Sequence, residues 1–430
     1  MPSISRRRLL AGGAAVGVAG GLGLLPAKYL PASVAQARLS VRPVPEVSAR
    51  PPVTDGHEAS AHEALQSLVD RAESEWSRVE DQQAAVERLP GLANPERSID
   101  SARDYLDDIP GESGWEVLFS SRIGAQFAGE AIGGTRLAVD EASGESLAEQ
   151  AREIQANVAD ERERVTYEVT DPATDLARLY WVEKWLHSAQ LNSYRTGVYV
   201  GQDEPTVEYD DHEFVRTWGS HMQARRSLAD AARLYDDYRD GADGEWRDLT
   251  DHVETVESEL WTEARERSFT TDEFEERSAA IESLPEGPLR TYRWQAMFYV
   301  QNANVEFVDD LSTGLPLYRA VGNAETVLRA RALADAPDDP FEDSVPVSSL
   351  ARTKRDGLAL LRDHLDAVPE QSVRGLLLRE GRRLLWAGDT QLDNGGEVDH
   401  PRARAYARYR LGVGYLRHVD EVAARLDRPT

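Results

Sequence analysis

Apolar residues recur along most of this chain at steps of three and four, the spacing that gathers them on one face of an α-helix. From Ala61 the positions Ala61, Leu65, Leu68, Ala72, Trp76, Val79 and Val86 form one stripe and predict a single long helix. Leu89-Pro90-Gly91 ends it, because proline cannot continue the hydrogen-bond ladder. Asn94-Pro95 supplies an N-cap followed by proline at the first helical position. Leu147, Ala151, Ile154, Val158 and Val165 form a second stripe. Asp171-Pro172 opens a helix carrying Leu176, Leu179, Val182, Leu186 and Leu191. The same spacing predicts helices near 211–240, 245–284, 288–311, 316–335, 348–367, 371–388 and 401–427. Strand-like character is confined to Gly197-Val198-Tyr199-Val200. The expected fold class is all-α, a multi-helix bundle or helical array.

Four short echoes suggest that the array is a tandem duplication. Ala84-Ala85-Val86-Glu87-Arg88-Leu89-Pro90 returns as Ala279-Ala280-Ile281-Glu282-Ser283-Leu284-Pro285. Ala131-Ile132-Gly133 returns as Ala320-Val321-Gly322. Trp185 with Gln190-Leu191-Asn192 returns as Trp386 with Gln391-Leu392-Asp393, and Ala231-Ala232-Arg233-Leu234 as Ala423-Ala424-Arg425-Leu426. Their common order predicts two related helical halves, 56–241 and 245–430.

The N-terminus has a different pattern. Ser5-Arg6-Arg7-Arg8-Leu9-Leu10-Ala11 leads into an apolar run to Leu25, and Ala35-Gln36-Ala37 offers an A-x-A cleavage site at Ala35 and Ala37. This order resembles a twin-arginine (Tat) signal, with Arg6 and Arg7 as the pair, Leu9 where the family usually has Phe and Ala11 where it often has Lys. The resemblance implies a protein folded inside the cell, handed to the Tat machinery and working outside. The glycine-rich run of 17 residues reaches roughly 26 Å, short of a hydrocarbon core of about 30 Å, so cleavage is expected over anchoring. The expected organisation is a signal over 1–37 and a tether over 38–55, extended by Pro43, Pro45, Pro51 and Pro52. The helical halves follow. No later stretch reaches 18 apolar residues, so no membrane contact is expected of the mature form unless the signal stays on as an anchor.

Charge adds a setting. Residues 1–37 hold four basic and no acidic side chains, so losing them takes the net charge from −27 to −31. Three lysines (Lys28, Lys184, Lys354) stand beside 46 arginines and 76 acidic residues. The balance resembles proteins of extreme halophiles, where molar salt shortens the Debye length to about 3 Å and screens self-repulsion. Such a surface disfavours nucleic acid. Residues 348–430 are the exception, with 15 basic against 12 acidic side chains, five of them Arg402, Arg404, Arg408, Arg410 and Arg417. Internal pairing is the default for these, an anion site the alternative. With no cysteine, disulfides and a lipoprotein anchor are excluded.

Candidate chemistry is sparse. There is no G-x-S-x-G elbow and no P-loop, and Gly412-Val413-Gly414 lacks the third glycine of a dinucleotide turn. His57 and His62 with Glu58 miss the H-E-x-x-H spacing, and histidines five apart do not share a helical face. One Glu-x-x-His, ending at His400, is too few for a di-iron bundle. Glu183 and His187 share a face as a possible acid–base pair or as satisfied neighbours. No cofactor is expected; the one candidate ion is calcium, at Asp389, Asp393, Glu397 and Asp399 in a glycine-containing loop. That loop departs from the EF-hand in its glycine position and closing residue, and capping explains the same residues. Tyr292, Trp294, Phe298 and Tyr299 make an aromatic helix, read as a central core element.

These observations favour an exported helical binding or structural module of the cell envelope or exterior, with no catalytic motif. The rival is a hydrolase or metal-dependent enzyme whose site assembles between helices. A deep pocket joining carboxylates with His187 or His221 would favour that rival.

Overall fold

A computed structural model describes residues 43–89, 91, 94–194, 207–301, 314–337, 341, 344–393 and 399–428. Arg6, Arg7, Ala35, Ala37, Glu397 and the strand candidate 197–200 lie outside the described residues. The described chain is all-α, an array of two tandem halves. Helices α1 (Asp55–Trp76), α2 (Gln82–Arg88), α3 (Pro95–Asp108), α4 (Trp115–Ala138), α5 (Gly144–Arg164), α6 (Pro172–Ser193) and α7 (Asp211–Gly241) form the first half. The second contains α8 (Thr250–Arg267), α9 (Thr271–Glu282), α10 (Pro288–Gln301), α11 (Pro316–Ala334), α12 (Val347–Ala367), α13 (Val373–Asp393) and α14 (Pro401–Asp427). A two-residue ribbon, β1 (Glu168–Val169) antiparallel to β2 (Arg247–Asp248), joins them.

The packing repeats as well as the order. In the first half α4 packs on α1, α3 and α7, α7 also on α5 and α6, and α5 on α6. In the second, α11 packs on α8, α10 and α14, α14 also on α12 and α13, and α12 on α13. The short echoes fare less well. Gly133 faces α7, where a Cβ would meet Trp218 and the Val215 backbone, whereas Gly322 faces open space. Trp185 is buried and Trp386 is half exposed.

The caps work as their residue types require. Asn94 accepts from the amides of Glu96 and Arg97, and Asp171 from that of Ala173, each with proline in the first turn. The helix expected from Ala61 to Val86 is divided. Ser77 closes α1 onto the Glu73 carbonyl, and Asp81 caps α2 through the Ala84 amide. The segment 245–284 divides likewise, because Thr270 and Glu273 form a reciprocal capping box that opens α9. Helix α4 carries no such signal. Its glycines lower helix propensity but let it meet α7 backbone to backbone, with a Cβ on Gly129 only 2.9 Å from the Cα of Gly219.

Among the described helices, α6 makes the most extensive bridge between the halves, packing on α11, α13 and α14. The proline-rich segment 43–54 is extended, and it is docked against the protein as a strap. Its Val44, Val47, Ala49 and Pro51 are buried. Its Ser48 amide donates to Glu370 in the second half, while the Thr54 hydroxyl donates to Asp237 in the first. Among the described residues, no helix is long and apolar enough to cross a membrane.

Candidate functional site: a cationic cluster at the junction of the halves

On α6, Trp181, Lys184 and Trp185 follow the i, i+3, i+4 spacing and therefore share a face. Trp115, at the start of α4, joins them, its ring centre 4.7 Å from Trp181 and 5.9 Å from Trp185. The indole N–H of Trp181 donates to the Ala49 carbonyl (2.8 Å) and that of Trp115 to the Pro51 carbonyl (2.6 Å). These bonds grip the strap on either side of Arg50. Its guanidinium consequently lies over Trp115 at 5.4 Å and Trp181 at 5.9 Å.

Three more cations meet the same rings. Lys184 lies 4.6 Å from the centre of Trp181, Arg379 of α13 lies 5.0 Å from it, and Arg122 of α4 lies 3.5 Å from Trp185. Cation–π attraction holds each head, by about 0.5–2 kcal/mol. The cations also repel one another. Three heads within 5.9 Å of one ring centre cannot be more than about 11 Å apart, where each pair repels by at least about 1.5 kcal/mol at an effective dielectric near 20.

Compensation is scarce. Arg122 has Asp230 at 3.8 Å. Among the described residues, no carboxylate comes within ion-pair distance of Arg50, Lys184 or Arg379. The nearest acidic influence on Lys184 is Glu325 of α11, which is ion-paired with Arg329 at 3.3 Å and 28% exposed. Burial, then Arg379, pulls the Lys184 ammonium down to about 8, with Glu325 opposing. Burial lowers Arg122 to about 10 and lowers Arg50 as well. Lys184 and Arg122 therefore remain cations at neutral pH.

Glu183 and His187, the candidates for an acid–base pair, each engage other partners. Glu183 is buried and accepts from the Tyr167 hydroxyl and, at 2.5 Å, from the Tyr318 amide. Burial pushes its carboxyl up to about 7, against those hydrogen bonds. His187 stacks on Tyr318 at 4.5 Å, and burial, then Lys184, lowers it to about 4, so it is neutral. His221 is wholly buried in α7. Beneath Arg122, His57 and Arg226 both bind Asp230, at 2.8 and 2.5 Å, which gives His57 a structural anchor away from His62. Behind Glu325 the polar chain runs into the second half through Arg329, Glu380 and the Tyr299 hydroxyl.

Of the calcium candidates, Asp389 accepts from Lys354 at 2.7 Å and from the Tyr409 hydroxyl at 2.5 Å, so its carboxylate is already engaged within the protein. Asp393 ends α13, and the Asp399 carbonyl accepts from Arg404 before α14. Among the described residues, no three His, Cys, Asp or Glu side chains cluster to hold a metal. On α14, Arg408 donates to Gln295 and Arg410 to the Asp335 carbonyl. The aromatic helix α10 is partly core: Tyr292 and Tyr299 are buried, Phe298 is 44% exposed.

Sequence reasoning passed over Arg50, Arg122 and Arg379, which come from three separate elements. One signal for Lys184 was present. In a chain that writes nearly every cation as arginine, neither lysine within the described residues is exposed: Lys354 is buried and Lys184 is half-buried.

No curated protein and no solved structure matches the chain. Residues 56–245 match the model of a domain of unknown function, DUF8262, and residues 246–428 match that of a second, DUF8264.

Proposed function

We propose that this protein is an exported binding module whose ligand is a small, multiply charged organic anion held at the junction of the two halves. The observation that carries the reading is the convergence of Arg50, Lys184 and Arg379 on Trp181 with no carboxylate at ion-pair distance among the described residues. A chain of net charge −27 has acidic side chains in excess, so three cations gathered with only the more distant influence of Glu116 and Glu325 call for an anion from outside. The rings beneath are already covered by cations, so a ligand meets guanidinium and ammonium heads rather than a stacking face. A monovalent anion answers one head at a time, whereas a di- or tricarboxylate or a phosphorylated molecule spans two. Such a ligand ties the strap and both halves together, because its partners come from all three. The sealed carboxylate of Glu183 and the neutral His187 favour binding over hydrolysis. Export rests on the signal-like residues Ser5 to Ala11 and the A-x-A at Ala35 to Ala37.

The test is a set of thermal melts and calorimetric titrations with citrate, inorganic phosphate and acetate at matched ionic strength. Saturable stabilisation by citrate or phosphate, absent with acetate and lost in Lys184→Met, is expected. Equal effects of all three anions would overturn the reading. N-terminal sequencing of protein recovered outside the cell tests export, with a start just after Ala37 as the expected result.

A further inference from the structure

A second cleft lies in the second half, away from the junction. Helices α8, α9, α10 and α11 enclose a volume of about 580 Å³, within the range of small-molecule sites. Its floor is apolar, with Met297, Val300 and Leu333, and Ile281 faces them from α9. Its polar side chains are those of Arg267, Arg277 and Arg293 and the hydroxyl of Tyr292, and among the described residues no carboxylate lines it. In so acidic a chain that selection opposes the background composition. Arg267 is ion-paired with Glu263, a carboxylate it shares with Arg331 and Arg425. Arg277 lies 4.5 Å over the Phe269 ring, with no carboxylate at ion-pair distance among the described residues.

The roof is lightly held. Among the described residues, helix α9 buries only Ile281 and packs chiefly on α10. An element with so few buried contacts opens at low cost, which provides a route in.

We infer that this cleft binds a single-chain anionic amphiphile, its alkyl tail on the apolar floor and its head at Arg277. Neither component suffices alone. A wholly polar anion leaves Met297, Val300 and Leu333 in water, and a neutral hydrocarbon leaves Arg277 without an anion.

The experiment titrates the full chain with dodecanoate, below its micelle concentration, and in parallel with dodecan-1-ol, at matched ionic strength. Saturable one-to-one binding of dodecanoate is expected. Arg277→Ala should weaken dodecanoate about tenfold and leave dodecan-1-ol unchanged. Ala296→Trp, which fills the floor, should abolish both. Ala280→Trp narrows the cleft from the exposed face of α9 and disturbs no core residue, so it should weaken both even if Ala296→Trp fails to fold. Lys184→Met should bind as the natural chain does, which separates this cleft from the junction site. Absence of saturable binding, equal loss of both ligands in Arg277→Ala, or undiminished binding in Ala280→Trp would each overturn the inference.

Discussion

The guanidinium of Arg122 lies 3.5 Å from the centre of the Trp185 ring. This contact joins α4 to α6, the main helical bridge between the two halves among the described residues. Asp230 stands 3.8 Å behind the same guanidinium and is itself fixed by His57 and Arg226. The first half therefore supplies a braced cation to the junction, while Arg379 and Arg50 arrive from the second half and the strap.

Crowding of these cations should be measurable without any ligand. Lys184→Met removes one member and should raise the stability of the ligand-free protein by about 1 kcal/mol at low salt. The gain should shrink in molar salt, where screening already weakens the repulsion. Denaturant melts at two salt concentrations check this, and a loss of stability in both would show that Lys184 is internally compensated.

The charge on Lys184 sets a pH limit for anion binding. Burial holds its ammonium near 8, so citrate- or phosphate-induced stabilisation should decline as pH rises through about 8. Lys184→Arg should carry binding to higher pH. A decline unchanged by that substitution would place the titrating group elsewhere.

Glu183 and His187 affect stability in opposite directions. The Glu183 carboxyl binds its proton more tightly in the folded protein, at about 7 against 4.5, so its contribution is complete below 4.5 and is lost as pH rises through 7. His187 binds its proton less tightly, at about 4 against 6.5, so its contribution is complete above 6.5 and is lost as pH falls through 4. Glu183→Gln should flatten the decline in stability on the alkaline side, a difference of about 3 kcal/mol by neutral pH. Urea melts across this range give the slope directly.

Asp230→Ala should cost about 3–5 kcal/mol, because it leaves the buried Arg226 and His57 without their common partner. Arg71→Ala breaks only the exposed pair with Glu75 and should change stability by less than about 0.5 kcal/mol. Comparable losses in the two variants would mean that the network under Arg122 is not what holds that corner together.

Two glycines in helices should respond with opposite signs. A Cβ on Gly219 would meet the Gln126 carbonyl at 2.8 Å, and Gly219→Ala should destabilise by about 1–3 kcal/mol. Gly322 faces open space inside α11, and Gly322→Ala should stabilise by up to about 1 kcal/mol through helix propensity. Melts of the two variants check the sign, and stabilisation by both would contradict the close approach of α4 and α7.

The residues themselves determined the all-α character and most helix starts, because caps such as Asn94-Pro95 and Asp171-Pro172 act on backbone amides within a few residues. Periodicity did not reveal α4, whose glycines read as poor helix formers until α7 lies against them. Nor did it place the breaks at Ser77 and Thr270, where a local hydrogen bond outweighs a continuing apolar stripe. The strap was legible as extended from its prolines, but not as docked, since the groups that hold it, Trp115, Trp181, Glu370 and Asp237, are remote in the chain. The junction site belongs to tertiary structure in the same way. Arg50, Arg122, Lys184 and Arg379 lie on four elements with no common spacing, and only the seating of α6 between the halves turns separate surface-type residues into one cationic cluster.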